Sequence, residues 1–296
     1  MTAPPHFSIV VPTYNRPAAL RRLLHHISRL DFDHSLFEVI IVDDGSTPAV
    51  DALYGVPETI TYRLIRQSNK GPAAARNRGA ACGTGQFLAF TDDDCFPQSQ
   101  WLNELYGALH KCPSALCGGR TVNWRKSNPY AETTQLVADY IYEHYNPTKR
   151  RDGFFPTNNL GVPREAFLEM GGFDQGLRYG EDRDFCYRWA SNGKIFIDVP
   201  RSIVYHDHNL TMGSFLRLHF SYGRGTCLFR IGCNKKGLSS VPLSSAAWYL
   251  ALILSGYHKH RGLKGCFLSL LLAACQIATA AGIFHEFFGN ADGPRF

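Results

Sequence analysis

The chain has 296 residues, which is enough for two domains of ordinary size or for one domain with a substantial appendage. Hydrophobic residues make up 45% and charged residues 19%, which excludes a disordered, collagen-like or coiled-coil protein. The formal net charge of +6 resides in residues 206–296, which hold nine basic and three acidic side chains. A neutral body followed by a basic, apolar segment favours a membrane surface as partner and argues against nucleic acid.

Strand and helix patterns alternate along the first 110 residues. Strands are predicted at residues 7–11, 37–42, 62–66 and 87–90, and helices at residues 17–27, 73–81 and 101–109. This alternation predicts an α/β fold with a mostly parallel central sheet flanked by helices. Ligands bind such sheets beyond the carboxyl ends of the strands.

Three polar segments follow the predicted strands, at residues 13–15, 43–46 and 92–94. Asp92, Asp93 and Asp94 are consecutive carboxylates that repel one another, and a divalent cation would neutralise them. Mg²⁺ and Mn²⁺ accept such oxygen ligands together with substrate phosphates. The alternatives are an acidic surface turn at residues 92–94 and an ordinary turn at residues 43–46.

Nine cysteines are scattered without a Cys-x-x-Cys pair, so neither a zinc site nor a disulfide framework is predicted. The first seven residues lack the basic and apolar regions of a secretory signal. A reducing, cytoplasmic setting is therefore expected.

Five motifs occur in the order seen in family 2 glycosyltransferases, and the sequence resembles that family across about 200 residues. The motifs are Val11-Pro12-Thr13-Tyr14-Asn15-Arg16, Ile41-Val42-Asp43-Asp44-Gly45-Ser46, Ala75-Arg76-Asn77-Arg78-Gly79, Asp92-Asp93-Asp94, and Gly172-Phe173-Asp174 followed by Gly180-Glu181-Asp182-Arg183-Asp184. The resemblance implies a Rossmann-like GT-A fold, which we assign to a catalytic domain at residues 1–205.

The resemblance also implies that a nucleotide-diphosphate sugar, with a UDP-sugar favoured, lies at the sheet edge. Pro12, Tyr14, Asp44 and Arg76 match positions around the nucleotide base, and Asp92 matches a position near the ribose. For Arg76, which stands near a predicted helix start, a solvated helix end is the alternative.

The same resemblance assigns the metal and the catalytic groups. Asp94 would bind Mg²⁺ or Mn²⁺, and His206 is a candidate further ligand with His208 as its rival; a hydrogen-bonded histidine without metal is the alternative. Asp182 matches the catalytic base and Glu181 its acceptor-binding neighbour. Acidic residues also favour helix N-termini for electrostatic reasons alone, so a purely structural role is the alternative for this pair.

Residues 206–296 contain two uncharged stretches, 237–257 and 266–284, separated by a basic segment. Each could reach about 30 Å as a helix, but a basic loop between two spans would place the catalytic domain away from cytoplasmic nucleotide sugars. We therefore expect a helical hairpin in the cytoplasmic leaflet, peripheral or monotopic, although helices packed as ordinary core are the alternative. The basic residues expected at anionic headgroups are Lys235, Lys236, Lys259, Arg261 and Lys264.

The sequence thus predicts a metal-dependent, inverting transferase that moves one sugar to the hydroxyl of a glycan or lipid-linked acceptor, in cell-surface polysaccharide or glycolipid synthesis. A polymerising synthase is disfavoured because Phe185 stands where the Gln of its Gln-x-x-Arg-Trp motif would be. A nucleotidyltransferase is disfavoured because no Gly-rich phosphate loop occurs near residues 9–20. A non-catalytic, membrane-associated glycan-binding or scaffold protein of the same fold is the remaining alternative.

Overall fold

The computed structural model describes residues 4–51, 60–146, 153–238 and 244–289. The chain forms two compact units, Met1–Val122 with Thr148–Asp207, and Asn123–Pro147 with His208–Phe296. Residues 1–205 were predicted to form one domain, but residues 123–147 belong to the second unit. The reason is packing, because the helix formed by these residues contacts the C-terminal helices.

The first unit is built on one eight-stranded sheet. Its strands are β1 (Phe7–Thr13), β2 (Phe37–Asp43), β3 (Thr61–Arg66), β4 (Phe87–Phe90), β5 (Cys95–Pro97), β6 (Leu116–Asn123), β7 (Leu160–Pro163) and β8 (Phe196–His206). Their order in the sheet is β3-β2-β1-β4-β7-β6-β8-β5.

The helices connect these strands and continue into the second unit. They are α1 (Pro17–Ile27), α2 (Pro72–Cys82), α3 (Trp101–Lys111), α4 (Pro129–Tyr145), α5 (Arg164–Glu169), α6 (Glu181–Ser191), α7 (Met212–Lys235), α8 (Ala246–His260) and α9 (Gly262–Gly289). The predicted α/β class is confirmed.

Parallel and antiparallel pairs both occur in the sheet. Strands β3, β2, β1 and β4 are parallel, whereas β7 runs antiparallel to β4 and to β6, and β5 runs antiparallel to β8. The register pairs Thr13 with Asp43 and Val10 with Phe90. The segments that follow β1, β2 and β4 therefore meet at one edge, as the strand pattern predicted.

Helix α2 packs unusually close to the sheet at Gly79. A Cβ atom on Gly79 would lie 2.4 Å from Val10 Cγ1 and 3.3 Å from Val42 Cγ2. Both valines are fully buried in β1 and β2. The missing side chain therefore sets the distance between α2 and the strands that lead to the candidate site.

The second unit consists of α4, α7, α8 and α9. Helices α7 and α9 cross closely at two glycines, because a Cβ atom on Gly223 would overlap the carbonyl oxygen of Thr279 and one on Gly282 would overlap that of Phe220. Helices α8 and α9 are separated by Arg261 alone, whose backbone is left-handed (φ 43°). The basic residues 258–264 therefore belong largely to the end of α8 and the start of α9.

Two of the five basic residues expected at lipid headgroups pair with acidic side chains of the second unit. Lys259 lies 3.2 Å from Asp139, and Lys264 lies 2.8 Å from Glu132. Both acidic residues lie on α4, which the sequence analysis had placed in the catalytic domain. Lys235, Lys236 and Arg261 remain on the exposed surface of the second unit.

Helix α9 leaves a row of large apolar side chains exposed. Their spacing of three, four or seven residues places them on one side of the helix. They are Leu263, Phe267, Leu270, Ile277, Phe284 and Phe288. Within the part of the chain that the structure describes, α9 is the helix long and apolar enough to cross a membrane, with a mean hydropathy of 2.0 over an 18-residue stretch.

We expect Gly79→Ala to lower the free energy of unfolding by about 1–3 kcal/mol, because the added methyl group overpacks the contact with Val10. Urea denaturation measures the change. The matched control is Gly107→Ala on the exposed face of α3, where a Cβ atom meets nothing within 4 Å; it should leave stability equal or slightly higher. Equal effects of the two substitutions would contradict the close approach.

Candidate active site

Hydrogen bonds fix the loops after β1 and β2 to each other. The backbone N–H of Asn15 donates to Ser46 Oγ, and the backbone N–H of Thr47 donates to Asn15 Oδ1, both at 2.8 Å. Asn15 has a left-handed backbone (φ 56°), which asparagine tolerates better than most residues. Pro12 ends up half-buried and Tyr14 exposed at this edge of the sheet.

The buried Asp44 carboxylate holds the loop before α2 in place through hydrogen bonds. Its oxygens accept hydrogen bonds from Gln67 Nε2 and from the backbone N–H groups of Lys70 and Gly71, at 2.8–2.9 Å. One oxygen accepts two of these bonds and the other accepts one, so the carboxylate retains acceptor capacity. The contact to a nucleotide base that the sequence suggested for Asp44 stays a prediction.

The acidic residues after β4 contact Thr13 at the end of β1 and Arg16, which directly precedes α1. Arg16 Nη1 lies 2.7 Å from Asp94 Oδ2 and 3.2 Å from Asp93 Oδ1. Thr13 Oγ1 donates to the other oxygen of Asp93 at 2.8 Å. Burial, together with repulsion from Asp94, raises the pKa of Asp93 to about 6. The sequence motifs contained Thr13 and Arg16, but nothing in the pattern indicated these contacts.

The antiparallel register of β5 and β8 brings His206 to the acidic segment. Cys95 pairs with His206, and His206 Nε2 lies 3.2 Å from Asp94 Oδ1. Burial lowers the pKa of His206, but the negative charge and hydrogen bond of Asp94 raise it more, so the net pKa lies above its usual value. Ligand atoms of Asp94, Cys95 and His206 lie within 4.8 Å of one another, and His208 is not part of this group.

The donor chemistry of this group fits a divalent transition metal. A carboxylate oxygen of Asp94 and an imidazole nitrogen of His206 suit Mn²⁺, whereas Mg²⁺ prefers oxygen ligands throughout. Cys95 offers a sulfur atom, which is a softer ligand than the oxygen and nitrogen atoms of the other two residues. Asp94 and His206 are thus the residues that could hold the ion.

A buried guanidinium joins the acidic segment to α6. Arg76 Nη1 lies 2.7 Å from Glu181 Oε1, and Arg76 Nη2 lies 2.5 Å from Asp92 Oδ1. Burial lowers the pKa of Arg76, but Asp92 and Glu181 raise it more, so the side chain keeps its charge. The structure therefore brings Arg76, Asp92 and Glu181 together in one cluster.

Glu181 and Asp182 occupy the first turn of α6. Gly180 precedes them with a left-handed backbone (φ 85°), which allows the chain to turn into the helix. Burial raises the pKa of Glu181 to about 7, and repulsion from Asp182 contributes. Burial also raises the pKa of Asp182. A carboxylate with a raised pKa is a stronger base than an exposed one.

The loop before α6 is held by two residues to which the sequence analysis gave no role. Asn77 accepts a hydrogen bond from the backbone N–H of Phe173 and donates to its carbonyl oxygen, both at 2.8 Å. Arg188 donates to the carbonyl oxygens of Met170 and Gly172 and pairs with Asp184. The i,i+4 spacing of Asp184 and Arg188 was a visible signal for that ion pair.

The fold defines the class of protein. The structure resembles the mannosyltransferase PcManGT from Pyrobaculum calidifontis, solved in complex with GDP-Man and Mn²⁺, with a TM-score of 0.67 at 17% identity over 97% of this chain and 88% of that chain. It also resembles TarS from Staphylococcus aureus in complex with UDP-GlcNAc, with a TM-score of 0.60 at 16% identity over 96% of this chain and 92% of that chain. These likenesses confirm the GT-A fold.

The sequence comparisons identify the family. Residues 8–171 match the model of "Glycosyl transferase family 2", and residues 90–285 match that of "Glycosyl transferase family group 2". The chain belongs to glycosyltransferase family 2, as the five motifs predicted.

Curated relatives include the pre-mycofactocin glycosyltransferase of Mycobacterium tuberculosis (strain CDC 1551 / Oshkosh), 30% identical over 84% of this chain and 53% of the relative. Another is the poly(ribitol-phosphate) beta-N-acetylglucosaminyltransferase TarS of Staphylococcus aureus (strain Mu50 / ATCC 700699), 29% identical over 74% of this chain and 45% of the relative. The chain therefore spans about half the length of these two relatives.

We expect Arg76→Met to lower the free energy of unfolding by about 3–5 kcal/mol at pH 8, because Asp92 and the buried Glu181 lose their shared cation. The loss should be smaller at pH 5. The folded-state pKa of Glu181 is already about 7 and rises further without Arg76, whereas its unperturbed value is 4.5. Protonation on acidification therefore removes the unpaired buried charge.

Urea denaturation at both pH values measures this difference. Arg78→Met, at an exposed position of the same helix, is the matched control and should change stability by less than about 0.5 kcal/mol. An Arg76→Met effect that is independent of pH would contradict the proposed electrostatic cause.

Proposed function

We propose that this protein is a metal-dependent, inverting glycosyltransferase that moves one sugar from a nucleotide-diphosphate donor to an acceptor hydroxyl. The observation that carries the proposal is the pair of contacts made by Arg76, to Asp92 at 2.5 Å and to Glu181 at 2.7 Å. These contacts hold the acidic segment that follows β4 beside the carboxylates that begin α6. Groups that bind the donor and groups that bind the acceptor can therefore lie on opposite sides of the bond between the sugar and the diphosphate.

The donor nucleotide lies at the edge formed by the loops after β1 and β2. Tyr14 offers an exposed ring, Pro12 lies next to it in the chain, and Asp44 offers a fixed carboxylate acceptor to a base N–H group. Asp92 lies near the ribose. A UDP-sugar is the first donor to test, because TarS, a relative by both sequence and structure, was solved with UDP-GlcNAc.

Asp94 and His206 hold a divalent cation, with Mn²⁺ preferred because of the imidazole ligand. Such a cation, when bound, neutralises negative charge that develops on the diphosphate as the bond to the sugar breaks. The complex of PcManGT with GDP-Man and Mn²⁺ supports this assignment by analogy of fold.

Asp182 is the base that takes the proton from the acceptor hydroxyl. Its raised pKa strengthens the carboxylate as a proton acceptor. Arg76 positions Glu181, which binds the acceptor beside Asp182. Attack from this side, opposite the leaving diphosphate, inverts the configuration at the anomeric carbon. A non-catalytic scaffold would gain nothing from two buried carboxylates with raised pKa values, which favours the enzyme.

The acceptor is a glycan or lipid-linked molecule of cell-surface polysaccharide or glycolipid synthesis, reached at the cytoplasmic face of a membrane. The second unit supports this location. Its exposed apolar row on α9 would lie in the lipid interface, and the exposed Lys235, Lys236 and Arg261 would contact anionic headgroups. Lys259 and Lys264 attract anionic headgroups less strongly, because they form ion pairs with acidic residues of α4.

We expect Asp182→Asn to lower the transfer rate by about 10²–10⁴-fold while leaving donor affinity within about twofold, because the amide cannot accept the proton. Asp94→Ala should lower both transfer and metal-dependent donor affinity. Product assays and calorimetric donor titrations with Mn²⁺ measure the two quantities. Glu165→Gln on α5 is the surface control, and full activity of Asp182→Asn would contradict the base assignment.

Replacing Leu270, Ile277 and Phe284 together by Ser should lower flotation of the full-length protein with anionic vesicles by at least about tenfold, since lipid contact scales with buried apolar area. The control carries Leu168→Ser and Ile195→Ser, which remove exposed apolar side chains from the first unit. If wild type and the triple variant float equally, the membrane role of α9 is refuted.

A further inference from the structure

Arg16 occupies an unusual place beside the acidic segment. It directly precedes the first residue of α1, yet its side chain makes no capping hydrogen bond to the helix. The guanidinium instead contacts Asp94 Oδ2 at 2.7 Å and Asp93 Oδ1 at 3.2 Å. The side chain is 57% exposed, so it is not locked in place by packing.

The two oxygens of Asp94 have different partners. Oδ2 faces Arg16, whereas Oδ1 lies 3.2 Å from His206 Nε2. A cation held by Asp94 and His206 would therefore share its carboxylate ligand with a permanently charged guanidinium. Two positive groups compete for the same negative charge.

Arg16 also neutralises negative charge of the acidic segment when no metal is bound. Asp92, Asp93 and Asp94 are consecutive, and Arg76 contacts Asp92. Arg16 is the guanidinium that contacts both of the other two carboxylates, in the part of the chain that the structure describes. Without it, repulsion between Asp93 and Asp94 would be less well compensated.

We propose that Arg16 is an internal counter-cation that competes with the divalent metal for Asp94. The metal consequently binds weakly to the free enzyme and becomes firmly bound when donor phosphates add their negative charge. Arg16 thereby makes metal retention depend on the donor. This inference rests on the metal site of the proposed function.

The expected size of the effect follows from Coulomb's law. A single charge and a doubly charged ion about 6 Å apart in a medium close to water repel each other enough to change an affinity about tenfold. Removing the positive charge of Arg16 should therefore tighten Mn²⁺ binding to the donor-free protein by about that factor. Loss of an ordinary structural contact would weaken binding instead.

The test is a titration of full-length protein with Mn²⁺ alone, followed by the electron paramagnetic resonance signal of the free ion. We expect Arg16→Gln to bind Mn²⁺ about tenfold more tightly than wild type, and Arg16→Lys, which keeps the charge, to stay within about threefold. Arg21→Gln, an exposed position on the same helix, removes an equal charge outside these contacts and is the matched control. Unchanged or weaker binding by Arg16→Gln would overturn the proposal.

Thermal unfolding gives a second readout that does not need activity. Without metal, Arg16→Gln should unfold at a lower temperature than wild type, and Mn²⁺ should raise its midpoint by more than it raises that of wild type. An equal or smaller rise would count against competition between Arg16 and the ion.

Asp94→Asn separates this inference from the proposed function. If wild type binds Mn²⁺ no better than Asp94→Asn, with UDP present or absent, the metal site itself fails. If binding depends on Asp94 but Arg16→Gln binds like wild type, the metal site stands and only the role of Arg16 is refuted.

Discussion

The buried Arg76 guanidinium is the interaction on which the candidate site depends. It reaches Asp92 and Glu181, two carboxylates that would otherwise face each other in a poorly solvated space. The contact to Glu181 joins residues 105 positions apart in the sequence. The Arg76 guanidinium therefore positions the first turn of α6 and neutralises negative charge in the site.

Several carboxylates lie close together in the site, and this explains their raised pKa values and their contacts with cationic side chains. Asp93 has a pKa of about 6 and Glu181 a pKa of about 7, in both cases chiefly because of burial. Two arginines and a histidine contact the acidic residues that follow β4. Such an arrangement stabilises the fold modestly, but it is well suited to bind a ligand that brings a cation and to accept a proton.

In the second unit, basic side chains of α8 and α9 pair with acidic side chains of α4, whereas one apolar side of α9 stays exposed. The carboxylates of α4 neutralise Lys259 and Lys264, whereas the large side chains on one side of α9 have no comparable cover among the described residues. The glycines at the crossing of α7 and α9 let those two helices approach closely. Burial of their facing surfaces leaves the opposite side of α9 as the apolar surface of this unit.

Local sequence pattern determined the first four strands of the sheet and the family to which the chain belongs. The predicted bounds of β1 to β4 agree with the structure to within about two residues. Strands β1, β2 and β4 are buried on both faces and therefore have continuous hydrophobic sequence, whereas β3 is partly exposed. The segment between residues 110 and 180 showed weaker periodicity, and the strands β6 and β7 and the helices α4 and α5 found there were not predicted. Strand β7 has four residues and α5 has six, which is too short for a periodic signal.

For the candidate site, too, the sequence predicted some features and only the structure showed the others. The motifs made Asp44, Arg76, Asp94 and Asp182 candidates, and the resemblance added His206 separately, but the partners of these side chains could not be predicted from the pattern. Arg16 on Asp94, Arg76 on Glu181 and α4 against α9 are all contacts between residues far apart in sequence. By itself the sequence determined which residues carry charge and which segments are buried. Only the tertiary structure decided which charges neutralise one another, because that depends on distances that arise when the chain folds.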